Sequence, residues 1–208
     1  IFDRHGFGSL KATEDLILEI IRIRPDAILL HNLHGYYINI GILFKYLAEA
    51  QIPVLWTLFD CWAFTGHCSY FDDVNCVKWK TQCRNCPKTK AYPSSYVFDN
   101  SLKNFNDKKR LFNSIKKMKI IVHSKWLRDL VENSFLKNNE IYVTPSGADL
   151  KVFRPINSDL IVKNKLSAKK IILGCTNIWS SRKGFQDFIN LNHLMDGKYQ
   201  IVLIGLNK

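Results

Sequence analysis

Long apolar runs are missing from this chain. No stretch of about 18 apolar residues occurs, so no helix is expected to span a membrane. A basic-then-apolar leader is missing as well, because the chain opens Ile1-Phe2-Asp3-Arg4. Six Cys without a leader set the expectation of a reducing compartment, where metal or buried thiols are considered before disulfides. Acidic residues are scarce: 18 Asp and Glu stand against 30 Lys and Arg, a formal net charge of +12 and a pI near 9.4. That balance favours anionic partners, whether nucleic acid, an anionic bilayer surface or phosphorylated small molecules, without choosing among them. Lys103, Lys108, Lys109, Lys116 and Lys117 read as solubilising surface charge.

Apolar residues, by contrast, make up 47% of the 208 positions, with 13 Phe, 8 Tyr and 5 Trp, so a substantial core is expected and wholesale disorder is not. The length suits one large α/β domain or two small ones.

The repeating pattern is a buried strand followed by an amphipathic helix. Thr13 is expected to cap a helix with Glu14 and Asp15 in its first turn and Leu16, Ile17, Ile20 and Ile21 on its apolar face. Ala27 to Leu30 is a short continuous apolar run of the kind found in covered parallel strands. A helix over Ile38 to Ala50 turns Leu43, Tyr46 and Leu47 inward, and Val54 to Leu58 is the next strand. Periodicity is lost from Asp60 to Lys108, a stretch too long for an ordinary connection. It resumes with Ile120 to Val122, a helix capped by Ser124, and the strand Ile141 to Val143. Asn157 to Lys170 reads as a linker, after which Ile171 to Gly174, a helix near Phe185 to Leu191 and Ile201 to Gly205 open a second unit.

This alternation predicts a doubly wound parallel sheet. The expected organisation is a first Rossmann-like domain over 1–156 with a Cys-rich insertion at 60–108, a linker at 157–169 and a second Rossmann-like domain beginning at 170–208. Ligands of such sheets bind beyond the carboxyl ends of the strands. Here those ends are His31-Asn32, Phe59-Asp60, His123-Ser124, Pro145-Ser146-Gly147 and Cys175-Thr176-Asn177.

Four constellations bear on chemistry. In Thr144-Pro145-Ser146-Gly147-Ala148-Asp149, Gly147 supplies freedom for a tight turn whose amides can approach a phosphate, although a plain structural turn explains the glycine equally well. In Trp179 to Phe185, the cations Arg182 and Lys183 beside Gly184 at a helix start suit a diphosphate, with a solvated basic loop as the bland alternative. His31 and His34, with Asn32 and Gly35, can bind hydroxyls or exchange protons, or can be satisfied structural residues. Cys68-x7-Cys76-x6-Cys83-x2-Cys86 can hold a structural tetrahedral Zn²⁺, with reduced thiols or a disulfide as the alternatives. Cys175 ends a strand and reads as a small buried residue.

Together these strings resemble the family 4 glycosyltransferases, whose GT-B fold sets two Rossmann-like domains across a cleft. The resemblance rests on Pro25-Asp26 leading into His31-Asn32, on Thr57-Leu58-Phe59-Asp60, on Ser124-Lys125-Trp126-Leu127, on Ser146-Gly147-Ala148-Asp149 with Phe153-Arg154-Pro155, and on Arg182-Lys183-Gly184. Cys61-Trp62-Ala63-Phe64-Thr65-Gly66-His67-Cys68, with the later Cys83-x2-Cys86-Pro87, looks like a bacterial branch that builds colanic acid, capsule or O-antigen.

The resemblance implies retaining transfer of a sugar from a nucleoside diphosphate donor to a hydroxyl of a glycan or lipid-linked glycan, without a catalytic metal. It implies a cytoplasmic protein that can dock on the inner face of an anionic membrane. Arg182 and Lys183 would hold the pyrophosphate, Ser146 and Gly147 would line the donor side, and His31, His34 and Asp60 would lie toward the acceptor. Three departures stand out. Phe59 occupies the place of the family His, and Ile178 that of the family Arg, with Arg182 as its substitute. The Glu-x7-Glu element and the Gly-rich loop of the family are expected beyond residue 208 and before residue 1.

Two other readings remain. A catalytically incomplete protein of the same fold would act by binding. A basic, metal-stabilised nucleic-acid module would suit the charge and the cysteines, but the basic residues are dispersed and the aromatics sit in apolar strands and helices.

Overall fold

The computed structural model describes residues 2–157, 159–164, 166 and 169–205. The chain divides into two compact units, Ile1–Gly147 and Ala148–Lys208. In the first, α1 (Leu10–Ile23), β1 (Ile28–Leu30), α2 (Ile40–Ala50), β2 (Val54–Leu58), α3 (Ser101–Phe112), β3 (Met118–Val122), α4 (Lys125–Glu132) and β4 (Glu140–Val143) follow one another. The strands form one parallel sheet in the order β1-β2-β3-β4. The protein is therefore α/β with a parallel sheet, as the alternation predicts. A doubly wound sheet also reverses its strand order, and among the described residues these four strands run in chain order without reversal.

Strand side chains alternate between faces. Val54, Trp56 and Leu58 of β2 and Met118, Ile120 and Val122 of β3 are buried. On the other face Leu29 and Tyr142 are exposed, and Lys119 pairs with Glu140 at 3.1 Å in solvent. The buried face meets α2 and α3 through three packed rings: Phe44 and Phe112 lie 4.5 Å apart, and Trp56 lies 5.4 and 4.7 Å from them. Every buried apolar side chain among the described residues falls between Leu30 and Leu136, so the core belongs to the first unit.

Several sequence expectations need correction. Thr13 does not cap α1. Ser9 occupies that position, and Glu14 and Asp15 lie past the first turn. Thr13 is buried one turn in, where its hydroxyl donates to the Ser9 carbonyl (2.9 Å) and accepts the Asn39 amide (2.7 Å), tying α1 to the start of α2. The apolar face of α1 is only half covered, with Ile17 and Ile20 half-buried and Leu16 and Ile21 exposed.

Helix α3 lies inside the stretch read as irregular. Its inward positions include Ser101, Asn104 and Lys108 beside Phe105, Leu111 and Phe112. Buried polar side chains broke the apolar period. Lys108, read as surface charge, is almost wholly buried, at 1% exposure.

The second unit contains the short helix α5 (Leu160–Lys163), then β5 (Lys170–Cys175), α6 (Phe185–Leu194) and β6 (Tyr199–Ile204). β5 and β6 pair in parallel. The expected linker at 157–169 thus includes one helical turn, and its residues 158, 165, 167 and 168 lie outside the described residues. Cys175 is exposed, not buried. Two strands and two helices, one of a single turn, cover too little surface to enclose it.

Candidate active site

The carboxyl ends of β1, β2, β3 and β4 line one edge of the first sheet, and three rings form a row along it. His31, just past β1, stacks on Phe59 past β2 at 5.8 Å. Phe59 in turn lies 5.0 Å from His123 past β3. The row is anchored at both ends. Trp56 Nε1 donates to the His31 carbonyl (2.9 Å), and His123 Nδ1 donates to the Thr144 carbonyl (2.7 Å). A carbonyl only accepts, so Nδ1 holds the proton of a neutral His123 and Nε2 has the lone pair. Phe59 is 50% exposed. His31 is exposed and His123 half-buried, so all three rings are open to a ligand.

Behind this row sits a buried pair. His34 Nε2 donates to Asp60 Oδ2 at 3.0 Å, with both side chains about nine-tenths buried. Asp60 Oδ1 accepts the Trp62 amide (2.9 Å), and His34 Nδ1 accepts from the Tyr92 hydroxyl (3.0 Å). Both oxygens and both ring nitrogens are therefore engaged. Burial, and next the nearby Asp60 charge, raise the Tyr92 phenol above its ordinary value, which keeps it a donor. This network joins the tip of β2 to the long loop at Tyr92, and sequence reading brought together only its first two members. Tyr92 carried no local signal beyond its residue type, and His123 was marked only as one of the strand ends.

The long loop is organised around α3. Lys108 Nζ donates to the carbonyls of Trp62 (2.8 Å) and Thr65 (3.1 Å) and lies 3.4 Å above the Trp62 ring. Burial pushes its pKa down to about 7, against the opposing charges of Cys83, Cys68 and Asp60. Gly66 passes so close to α3 that an added Cβ would fall 2.1 Å from the Ser101 carbonyl.

Asp3 is also buried. It binds His67 Nδ1 through Oδ1 and accepts the Asn100 amide through Oδ2 (2.8 Å). Burial alone would lower the His67 pKa, but the hydrogen bond and charge of Asp3 outweigh it and hold the pKa above its ordinary value. Cys68, Cys76, Cys83 and Cys86 line one cavity with His67 and Trp79. The hydrogen bond from Cys68 pushes Cys86 down to about 7, and the same bond, with burial, raises Cys68.

Ser146 and Gly147 are exposed just past β4, at the end of the first unit. The glycine is not required by backbone geometry, because its φ is not positive and a Cβ there would meet nothing within 4 Å. The expected tight turn is not formed, because residues 144–149 belong to no turn. Arg182 and Lys183 are exposed in the second unit, on the 3₁₀ turn Ser181–Lys183. Gly184, at φ 74°, ends that turn and starts α6.

No protein-family model matches the chain. A relationship of the transferase class does emerge by sequence similarity. Over 99 residues the chain is 31% identical to the "Putative colanic acid biosynthesis glycosyl transferase WcaC" of Escherichia coli (strain K12). The match covers 45% of this chain and 23% of that protein's length.

Proposed function

We propose that this chain contributes to a retaining glycosyltransferase of GT-B architecture in family 4. It moves a sugar from a nucleoside diphosphate sugar to a hydroxyl of a glycan acceptor, lipid-linked in surface-polysaccharide synthesis. The first unit takes the acceptor and the second holds the donor. The observation behind this reading is the open row His31–Phe59–His123 on the carboxyl edge of the parallel sheet, where α/β folds bind ligands. The partial likeness to a glycosyl transferase supports it.

In this reading His31 and the Nε2 lone pair of His123 hydrogen-bond the acceptor hydroxyl and draw on its proton. The Phe59 ring offers an apolar platform to a sugar face. Asp60 and His34, fully engaged with each other and their neighbours, hold the Trp62 turn and the Tyr92 loop in place. Arg182 and Lys183 of the second unit take the diphosphate. Its charge grows as the glycosidic bond breaks, so fixed cations and amides lower the barrier without a metal.

The test is a panel of nucleoside diphosphates and their sugars, read by thermal shift and by transfer of labelled sugar to membrane glycolipid. Stabilisation by one nucleoside diphosphate, abolished in Arg182→Ala/Lys183→Ala, is expected. A protein stabilised by none of them and transferring no sugar would sink the proposal.

Phe59 favours a second reading, a binding protein without transfer, because it places a carbon ring where family members carry His. Phe59→His discriminates. If donor binding is present and transfer appears only in the variant, the natural chain binds without catalysing.

A further inference from the structure

We propose that the loop between β2 and α3 binds one Zn²⁺ through the thiolates of Cys68, Cys76, Cys83 and Cys86. The inference is independent of the glycosyl-transfer reading. It begins with the backbone. Between Val54–Leu58 and Ser101–Phe112 the chain has no strand and only three short 3₁₀ turns, so few backbone bonds order it. Phe64, Phe71 and Trp79 pack together within it, and a loop of this length gains further from a cross-link.

The four cysteines line a common cavity. All four thiols are free. Cys83-Arg84-Asn85-Cys86 turns sharply, with Asn85 at φ 47°. Lys78 Nζ pins that turn by donating to the carbonyls of Arg84 (3.1 Å) and Asn85 (2.9 Å).

Two further observations point to missing negative charge. The buried Trp79 Nε1, on a ring lining this cavity, has no hydrogen-bond partner. Lys108 is buried beside the loop with two carbonyls as hydrogen-bond acceptors, and among the described residues no carboxylate lies within ion-pair distance of it. Neutral thiols are only weak acceptors for that N–H and leave the ammonium uncompensated. Four thiolates around Zn²⁺ carry a net charge of −2. They would balance the lysine and accept from the Trp79 N–H.

Among the described residues no three such donors already stand at metal-binding spacing. Closing on the ion therefore takes side-chain rotation of the cysteines about a fixed backbone. Four sulfur donors select Zn²⁺ over harder divalent ions.

Metal analysis of the purified chain, prepared in zinc-containing medium without chelator, is the test. It should give one zinc per chain, retained in Cys61→Ala, Cys175→Ser and His67→Gln, and lost in Cys83→Ser/Cys86→Ser. Should that double variant fail to fold, Co²⁺ substitution of the wild-type chain gives the answer through sulfur-to-cobalt charge-transfer bands of four-thiolate intensity. A metal-free chain with six reducible thiols, a Cys68–Cys86 disulfide without metal, or zinc unaffected by the double substitution overturns the proposal. So does loss of zinc in a folded His67→Gln chain, because the imidazole would then be a ligand.

Discussion

His31 and His34 are three residues apart yet do different things. The first is exposed and stacked on Phe59, with only its carbonyl tied down. The second is 7% exposed with both nitrogens engaged. His31→Ala is accordingly expected to leave the unfolding midpoint nearly unchanged while lowering transfer by roughly 10²-fold, the low end for a lost proton-transfer group. Asp60→Ala should act on stability instead. It strands the buried His34 Nε2–H and the Trp62 amide, at about 1–3 kcal/mol for each unsatisfied group. Urea unfolding separates the two, and a neutral Asp60→Ala would show that the pair holds nothing together.

His5 provides a pH signature. Burial lowers its pKa from the ordinary 6.5, partly opposed by its hydrogen bond to the Ser94 carbonyl, while His67 and Asp3 act on it with opposite signs. A depressed pKa means that the unfolded chain takes up this proton first. Stability is therefore full above 6.5 and falls as pH drops through the folded value. His5→Gln should shrink the difference between urea midpoints measured at about pH 7.5 and about pH 5. An unchanged difference would show that His5 titrates normally.

At the scale of elements, each strand tip is held by a side chain from within the sheet or a neighbouring turn. Trp56 fixes the His31 carbonyl while packing edge-on against Phe112 and tilted against Phe44. Trp56→Phe keeps most of the ring packing but frees that carbonyl. We expect a loss of about 1–3 kcal/mol in stability together with weaker acceptor binding, measured as a raised KM. The Ser124 hydroxyl accepts the Leu127 amide at the start of α4 (3.1 Å), so Ser124→Ala should cost about 1 kcal/mol without touching the ring row.

Helix α4 was readable from its cap and its apolar spacing. Helix α3 was not, because Ser101, Asn104 and Lys108 occupy inward positions that pattern reading assigns to solvent. A buried lysine is legible only once its acceptors are known, and the carbonyls of Trp62 and Thr65 lie more than 40 residues away.

Across the whole molecule, the core and the candidate site both belong to the first unit, whereas the two cations expected to hold a diphosphate belong to the second. A chain ending at Gly147 should therefore keep the cooperative unfolding of the longer one and lose any stabilisation by nucleoside diphosphate. Loss of cooperative unfolding on that truncation would show that the second unit completes the fold. The +12 charge belongs to this scale as well. Binding to anionic vesicles that falls with salt is expected, at about 1 kcal/mol for each Lys or Arg near the surface. Equal binding to neutral vesicles would remove that expectation.

By itself the sequence determined the alternation of strands and helices, because apolar spacing at periods of 2 and 3.6 is written into consecutive residues. It also marked His31, His34 and Asp60 as strand-end polar residues, since a strand terminus is a local event. Only the tertiary structure decided that His34 and Asp60 are sealed behind a row of open rings, that Tyr92 joins the buried pair and His123 the row, and that Gly147 needs no special backbone. Those outcomes depend on which distant segments cover a side chain and supply its hydrogen-bond partners. No local spacing records that, because the pairing of parallel strands brings together residues separated by whole crossover connections.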